Sequence, residues 1–204
     1  GANVKLHLPA AWGKMREKRE EVTRMLRRLQ QAMVTGEYLM LYMDPDDTGK
    51  FCYGRVLAAD EDFAALYLIA PDGAYDGLLV KETGSVQRIE SGGQYDAKMR
   101  KLMQGIQLPD RRWEAGCGSI AAQLLSMAAR HGWVASVEFR DSGTNDAVGL
   151  VTAVNGETAE LTLIDEYGYG DGACLFRMDS VTQVACDGGE ERAIRRLWQA
   201  NSGQ

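Results

Sequence analysis

The chain has 204 residues, 45% of them hydrophobic and 25% charged, with only four prolines and a formal net charge of −6, the composition of an ordinary soluble globular protein. That acidity argues against a protein that coats nucleic acid nonspecifically, because such affinity comes mainly from neutralising phosphates. No apolar run is long enough to span a membrane, the first residues lack the apolar stretch of a secretory signal, and Cys52, Cys117, Cys174 and Cys186 form neither a CxxC pair nor a metal-type spacing, so the expectation is a cytoplasmic protein with no metal and no cofactor.

Residues 14–28 hold seven Lys/Arg against three Asp/Glu, a local charge of +4 that leaves −10 on the remainder. In the same stretch Met15, Val22, Met25, Leu26, Leu29 and Met33 recur at spacings of three and four, which predicts an amphipathic helix over Lys14–Thr35 ending at Gly36. Its cations Arg16, Lys18, Arg19, Arg24, Arg27 and Arg28 make a candidate docking surface; the competing reading is a solvated face that keeps the chain soluble. Strands are predicted over Tyr38–Met43, Phe51–Ala59, Ala64–Ala70, Gly77–Lys81 and Val86–Glu90, separated by turns rich in Asp and Gly, and a short helix over Tyr95–Gln104. After a connecting segment, 105–116, the order recurs. A helix over Ser119–Arg130 is capped by Ser119 and stopped by Gly132. Strands follow over Val134–Arg140, Ala147–Val154, Ala159–Asp165, Gly172–Arg177 and Val181–Ala185, then a helix over Glu190–Ala200. The helix over Ser119–Arg130 is apolar on most of its surface, which predicts burial between the two halves.

This recurrence is an internal repeat. Residues 54–104 laid over 149–199, at an offset of 95 without a gap, are identical at 16 of 51 positions, Gly54/Gly149, Leu66/Leu161, Gly73/Gly168, Asp76/Asp171 and Val86/Val181 among them. Two units follow, 1–104 and 117–204, with 105–116 as linker. The fold class is mainly β with helices (α+β). Five short strands with tight turns are best satisfied by a small, strongly bent barrel, and Gly54 and Gly149, each inside a strand, suit the bend or close backbone approach it needs.

These residues resemble the Sm and Sm-like proteins, of the SH3-like barrel class. The family's first motif is matched in frame by Gly54, Val56, Asp60 and Leu66, and again by Gly149, Val151, Asn155 and Leu161. The second motif resembles Leu175–Val184 and, in the first unit, Val80–Ile89. The resemblance implies a leading helix and five-stranded barrel in each unit, rings or stacks made by edge-to-edge strand pairing, and a pocket for single-stranded RNA bases. Carried over by position, that pocket involves Asp60 and Phe63 in the first unit and Asn155, Thr158 and Arg177 in the second. The chain departs from the motif where asparagine is replaced by Phe63 and Thr158, and where arginine is replaced by Glu82, which repels phosphate.

Gly116-Cys-Gly-Ser119 resembles the nucleophile segment of papain-like peptidases, but His131 falls at the far end of the same predicted helix, roughly 18 Å away. The acidic turns at Asp44–Asp47 and Asp60–Asp62 lack the alternating ligand spacing of a calcium loop, and turn chemistry accounts for them. The expectation is therefore a noncatalytic protein that engages a protein partner or another copy of itself. Single-stranded RNA binding is the alternative, and a cysteine-dependent enzyme at Cys117 is a remote third.

Overall fold

The computed structural model describes residues 10–140 and 145–203, with side chains from Glu20 onward apart from Asn145. Within them α1 (Ala10–Thr35) precedes β1 (Tyr38–Tyr42), β2 (Cys52–Ala59), β3 (Phe63–Ile69), β4 (Tyr75–Glu82), β5 (Arg88–Glu90) and α2 (Gly93–Met103). The second half comprises α3 (Ile120–His131), β6 (Val134–Phe139), β7 (Asn145–Val154), β8 (Thr158–Ile164), β9 (Gly170–Arg177), β10 (Val181–Cys186) and α4 (Gly189–Asn201). The α+β expectation and the element order hold, with boundaries within a few residues. The ten strands join into a single antiparallel sheet in the order β5-β1-β2-β3-β4-β10-β6-β7-β8-β9.

Each half runs through the sheet as fifth, first, second, third and fourth strand. Irregularities fall at repeat-related places: between Val56 and Ala58 in β2 and Val151 and Ala153 in β7, and between Tyr75 and Leu78 in β4 and Gly170 and Ala173 in β9, where Gly77 and Gly172 take positive φ. Such bulges bend a strand and raise its twist. The strand glycines serve close approach: a Cβ at Gly54 would stand 2.2 Å from the Tyr67 carbonyl oxygen, and one at Gly149 2.0 Å from that of Thr162.

Two apolar clusters hold the sheet. The smaller puts α1, through Leu29 and Ala32, on Leu39, Leu41, Val56, Leu66 and Val86 of the first half. The larger spans both halves around α3, whose Ala121, Leu124, Leu125 and Ala128 are fully buried. This helix lies against β3 and β4 of the first half as well as β6, β7 and β10 of its own, as its all-round apolar surface predicted. Ser119 Oγ accepts from the Ala122 amide at 3.2 Å and Gly132 closes the helix in the left-handed region, so both ends are capped.

The halves meet where β4 pairs with β10, in the register Lys81–Gln183, Val80–Val184, Leu79–Ala185 and Leu78–Cys186. A polar network closes one end of this seam. Asp187, 5% exposed and in the left-handed region at φ 57°, accepts from the Tyr75 hydroxyl at 3.0 Å and from Arg111 Nε at 2.9 Å. Arg111 belongs to the connecting segment, which is also fastened by Tyr67 Oη to the Pro109 carbonyl at 3.0 Å and by Trp113 Nε1 to Gln123 at 2.9 Å. Burial, with Asp187 adjacent, raises the Tyr75 phenol above its ordinary value.

Two stability predictions follow from these polar clusters. Asp187→Asn keeps a residue tolerant of positive φ but removes the charge facing Arg111. The expected loss is about 1–3 kcal/mol in urea unfolding, and an unchanged midpoint would contradict the lock. In α2, Asp96 accepts from Arg100 Nε at 2.7 Å and Tyr53 Oη at 2.6 Å. Burial works to raise its carboxyl, but these two donors outweigh it and hold the group below its ordinary value. Its folded pKa thus lies below the unfolded value of about 3.9, so its stabilisation is complete above that pH and is lost as pH falls through the folded value. Asp96→Asn is expected to flatten the acid limb of the stability–pH curve, read by denaturation between pH 2 and 7 (~, spanning the carboxylate range).

Candidate functional site

The sequence-predicted base-site residues sit at two repeat-related turns. In the first, Asp60 turns its carboxylate onto its own loop, where Oδ1 accepts from the amides of Asp62 at 2.9 Å and Phe63 at 2.7 Å. In the second, Asn155 Oδ1 accepts from the amides of Glu157 at 3.1 Å and Thr158 at 2.8 Å, and from Thr158 Oγ1 at 3.1 Å. These are Asx turns, in which a short polar side chain organises the two or three residues after it. The motif aspartate and asparagine thus shape the β2–β3 and β7–β8 turns.

The third member of each set comes from the neighbouring strand, since Phe63 lies opposite Glu82 and Thr158 opposite Arg177 in the ladders. Phe63 is 8% exposed and belongs to the main core. Glu82 takes a hydrogen bond from Arg140 of the second half at 2.9 Å, and Arg177 pairs with Asp179 two residues on. The residues are therefore gathered in sequence-predicted groups, yet their polar atoms are committed to the protein itself.

Between the two turns opens a cleft of about 550 Å³, lined from the first half by Glu61, Asp62, Phe63 and Glu82 and from the second by Ser119, Arg140, Met178 and Asp179. Four carboxylates face one guanidinium, and that guanidinium is already paired with Glu82. An anionic polymer entering here meets net repulsion at distances where screening is incomplete. The cleft is electrostatically unsuited to phosphate.

The predicted basic surface divides. Arg16, Lys18 and Arg19 have side chains outside the described residues. Arg24 and Arg27 are exposed, whereas Arg28 is tied to Glu37 at 2.6 and 2.9 Å and to Ser91 Oγ at 3.1 Å. That bidentate hydrogen bond raises the Arg28 guanidinium and lowers the Glu37 carboxyl, and it fastens α1 beside the end of β5. Cys117 is exposed in the loop ahead of α3. His131 stands at the opposite end of that helix, with Nε2 2.8 Å from Glu114 and its ring stacked on Trp133 at 4.5 Å, so its imidazole is committed away from the thiol. Cys52 is half-buried at the start of β2, and burial of its thiol pushes it up to about 12. Among the described residues there is no cluster of three or more metal-ligating side chains and no helix long and apolar enough to cross a membrane.

A different surface stands out, and motif reading passed over it. β9 is the last strand of the sheet, with neighbour β8 on one side and no strand on the other among the described residues. It carries Leu175, 71% exposed, and the turn before it carries Tyr167 and Tyr169, 65% and 60% exposed. That turn is ordered: Asp165 Oδ1 accepts from the amides of Tyr167 and Tyr169, and Asn201 Nδ2 donates to the carbonyls of Tyr167 and Gly168 at 3.0 Å each. The repeat supplies the contrast. Val80, which corresponds to Leu175, is fully buried, and Leu78, which corresponds to Ala173, is 1% exposed. The signal was present in the alignment of the halves, but only the strand order says which copy is covered.

Comparison with protein-family models, curated proteins and solved structures finds no match to this chain.

Proposed function

We propose that the chain is a noncatalytic binding and assembly protein made of two Sm-like barrel units, and that it engages a protein partner or another copy of itself through a strand edge. One observation carries this reading. The halves are already joined edge to edge, β4 to β10, and β9, which is the second half's counterpart of β4, ends the sheet with its apolar face uncovered. An unpaired edge offers main-chain donors and acceptors to an incoming strand, and side chains on its faces select which strand is taken. The exposed tyrosines beside it suit such a contact, since tyrosine brings a large rigid apolar body with a polar tip. The paired fifth and first strands of each half, the repeat-related bulges and the close backbone crossings at Gly54 and Gly149 support the barrel reading.

The alternative, single-stranded RNA binding of the Sm-like type by Asp60, Phe63, Asn155, Thr158 and Arg177, has weaker support: the turn residues bond to their own backbone, Phe63 is in the core and the adjoining cleft is acidic. The test is fluorescence anisotropy of labelled U-rich and A-rich RNA with the purified chain at about 50 and about 200 mM salt. The expected result is no binding at either salt. Salt-sensitive binding in the micromolar range, lost in Arg177→Ala, would overturn the protein-binding reading in favour of RNA.

A further inference from the structure

Half-buried arginines in this fold are answered by an oxygen. Arg28 bonds to Glu37, Arg111 to Asp187, and Arg192 and Arg195 to the carbonyls of Asp187 and His131. Arg55, in β2, is the exception. Its Nε is buried and, among the described residues, is the one sealed side-chain polar atom without a hydrogen-bond partner. Acids of the surrounding elements are already engaged: Asp96 with Arg100 and Tyr53, Glu37 with Arg28, and Asp110 with Arg112.

The register places this guanidinium in a row of side chains. Tyr38 of β1 lies opposite Arg55, and Arg55 lies opposite Tyr67 of β3, so the three share the face that carries the larger apolar cluster. The Arg55 guanidinium stands over the Tyr67 ring, 4.7 Å from its centre. Tyr67 Oη donates to Pro109, whereas the Tyr38 hydroxyl has no hydrogen-bond partner among the described residues. Arg100 of α2 reaches over the Tyr38 ring, 6.0 Å from its centre. Nε is sealed while the residue as a whole is half-buried, so the two Nη groups of Arg55 face outward. At the repeat-related position the second half has Leu150, so the strand needs no cation here to fold. A sealed N–H without an acceptor costs stability, and such departures from local consistency fall at functional positions.

We propose that Arg55 anchors a binding site for a small aromatic carboxylate. A guanidinium takes both oxygens of a carboxylate in parallel hydrogen bonds, here end-on through its Nη groups, with the Tyr38 hydroxyl as a further donor beside them. The flanking rings of Tyr38 and Tyr67 favour an aromatic body over an aliphatic one, and Tyr38 is itself held in place by stacking on Tyr53 at 5.4 Å. Asp96 offsets Arg100, so a single positive charge is left over, and that suits a monoanion. A phosphate dianion would add excess negative charge to a chain already at −6. The site belongs to β1–β3 and is independent of the β9 edge.

The test is two-dimensional proton–nitrogen NMR of the full labelled chain, titrated with sodium benzoate at constant ionic strength against sodium chloride. The expected result is saturable shifts at Tyr38, Arg55, Tyr67 and Arg100, with a dissociation constant of about 1 mM or tighter, and weaker binding of acetate. A short peptide, acetyl-Ala-Glu-Ala-amide, presents a carboxylate as a protein would and is expected to bind no better than acetate. Arg55→Leu is expected to abolish the shifts and to melt no lower than wild type. Arg55→Lys keeps the charge but loses the fork, and is expected to bind benzoate at least about fivefold more weakly. No saturable shift in wild type, or binding by Arg55→Lys as tight as wild type, would overturn the proposal. A lower melting temperature for Arg55→Leu would also overturn it, by showing that the guanidinium is kept for packing. Peptide binding tighter than benzoate binding would overturn the small-molecule ligand in favour of an acidic protein segment.

Discussion

Four residues of β4, Leu78 to Lys81, form a ladder with Cys186 to Gln183 of β10, and the arrangement of the whole molecule depends on this contact. It turns two five-strand sets into one sheet, and it brings β3 and β4 within reach of α3 from the second half. Because α3 is apolar around most of its circumference, it is stable only when both halves enclose it. The ladder, the helix and the Asp187–Arg111–Tyr75 network act together, so the two repeats are expected to unfold as one cooperative unit.

The same contact makes the two halves unequal. Residues that a shared ancestry of the halves would treat alike meet different surroundings: β3 buries Phe63, Ala65 and Tyr67 under the second half, and β8 presents Thr158, Glu160 and Thr162 in the same places. Polar replacement at an outer face is what keeps a terminal repeat in solution. Leu175 departs from that pattern, because it is the large apolar side chain left outward on the uncovered strand. A solvating surface has no use for leucine there. Leu175 suits the strand-edge contact proposed for β9.

Much of the fold was legible from the sequence because its signals are local. Gly54 and Gly149 announce close backbone crossings, Ser119 and Gly132 cap a helix, and the Asp-rich segments fold as Asx turns. The joining of the halves was not legible, since an edge pairing between Val80 and Val184 leaves no trace in periodicity: both strands are apolar, as each would be inside a separate unit. The candidate site was obscured for a related reason. Motif positions directed attention to Asp60, Asn155 and Arg177, which serve turns and local ion pairs, while the exposure of Leu175, Tyr167 and Tyr169 follows from strand order alone.

The proposed function rests on the β9 edge of the sheet, and the acidic cleft between the halves is a consequence of how the turns meet. The measurement that tests it most directly is amide hydrogen exchange, resolved by peptide mass, at low and at high protein concentration. The account predicts strong protection of β4 and β10 at both concentrations, and weak protection of residues 170–177 in the dilute chain, where no second strand covers that edge. Rapid exchange in β4 and β10, or protection of residues 170–177 in the dilute chain as strong as that of β4, would contradict it.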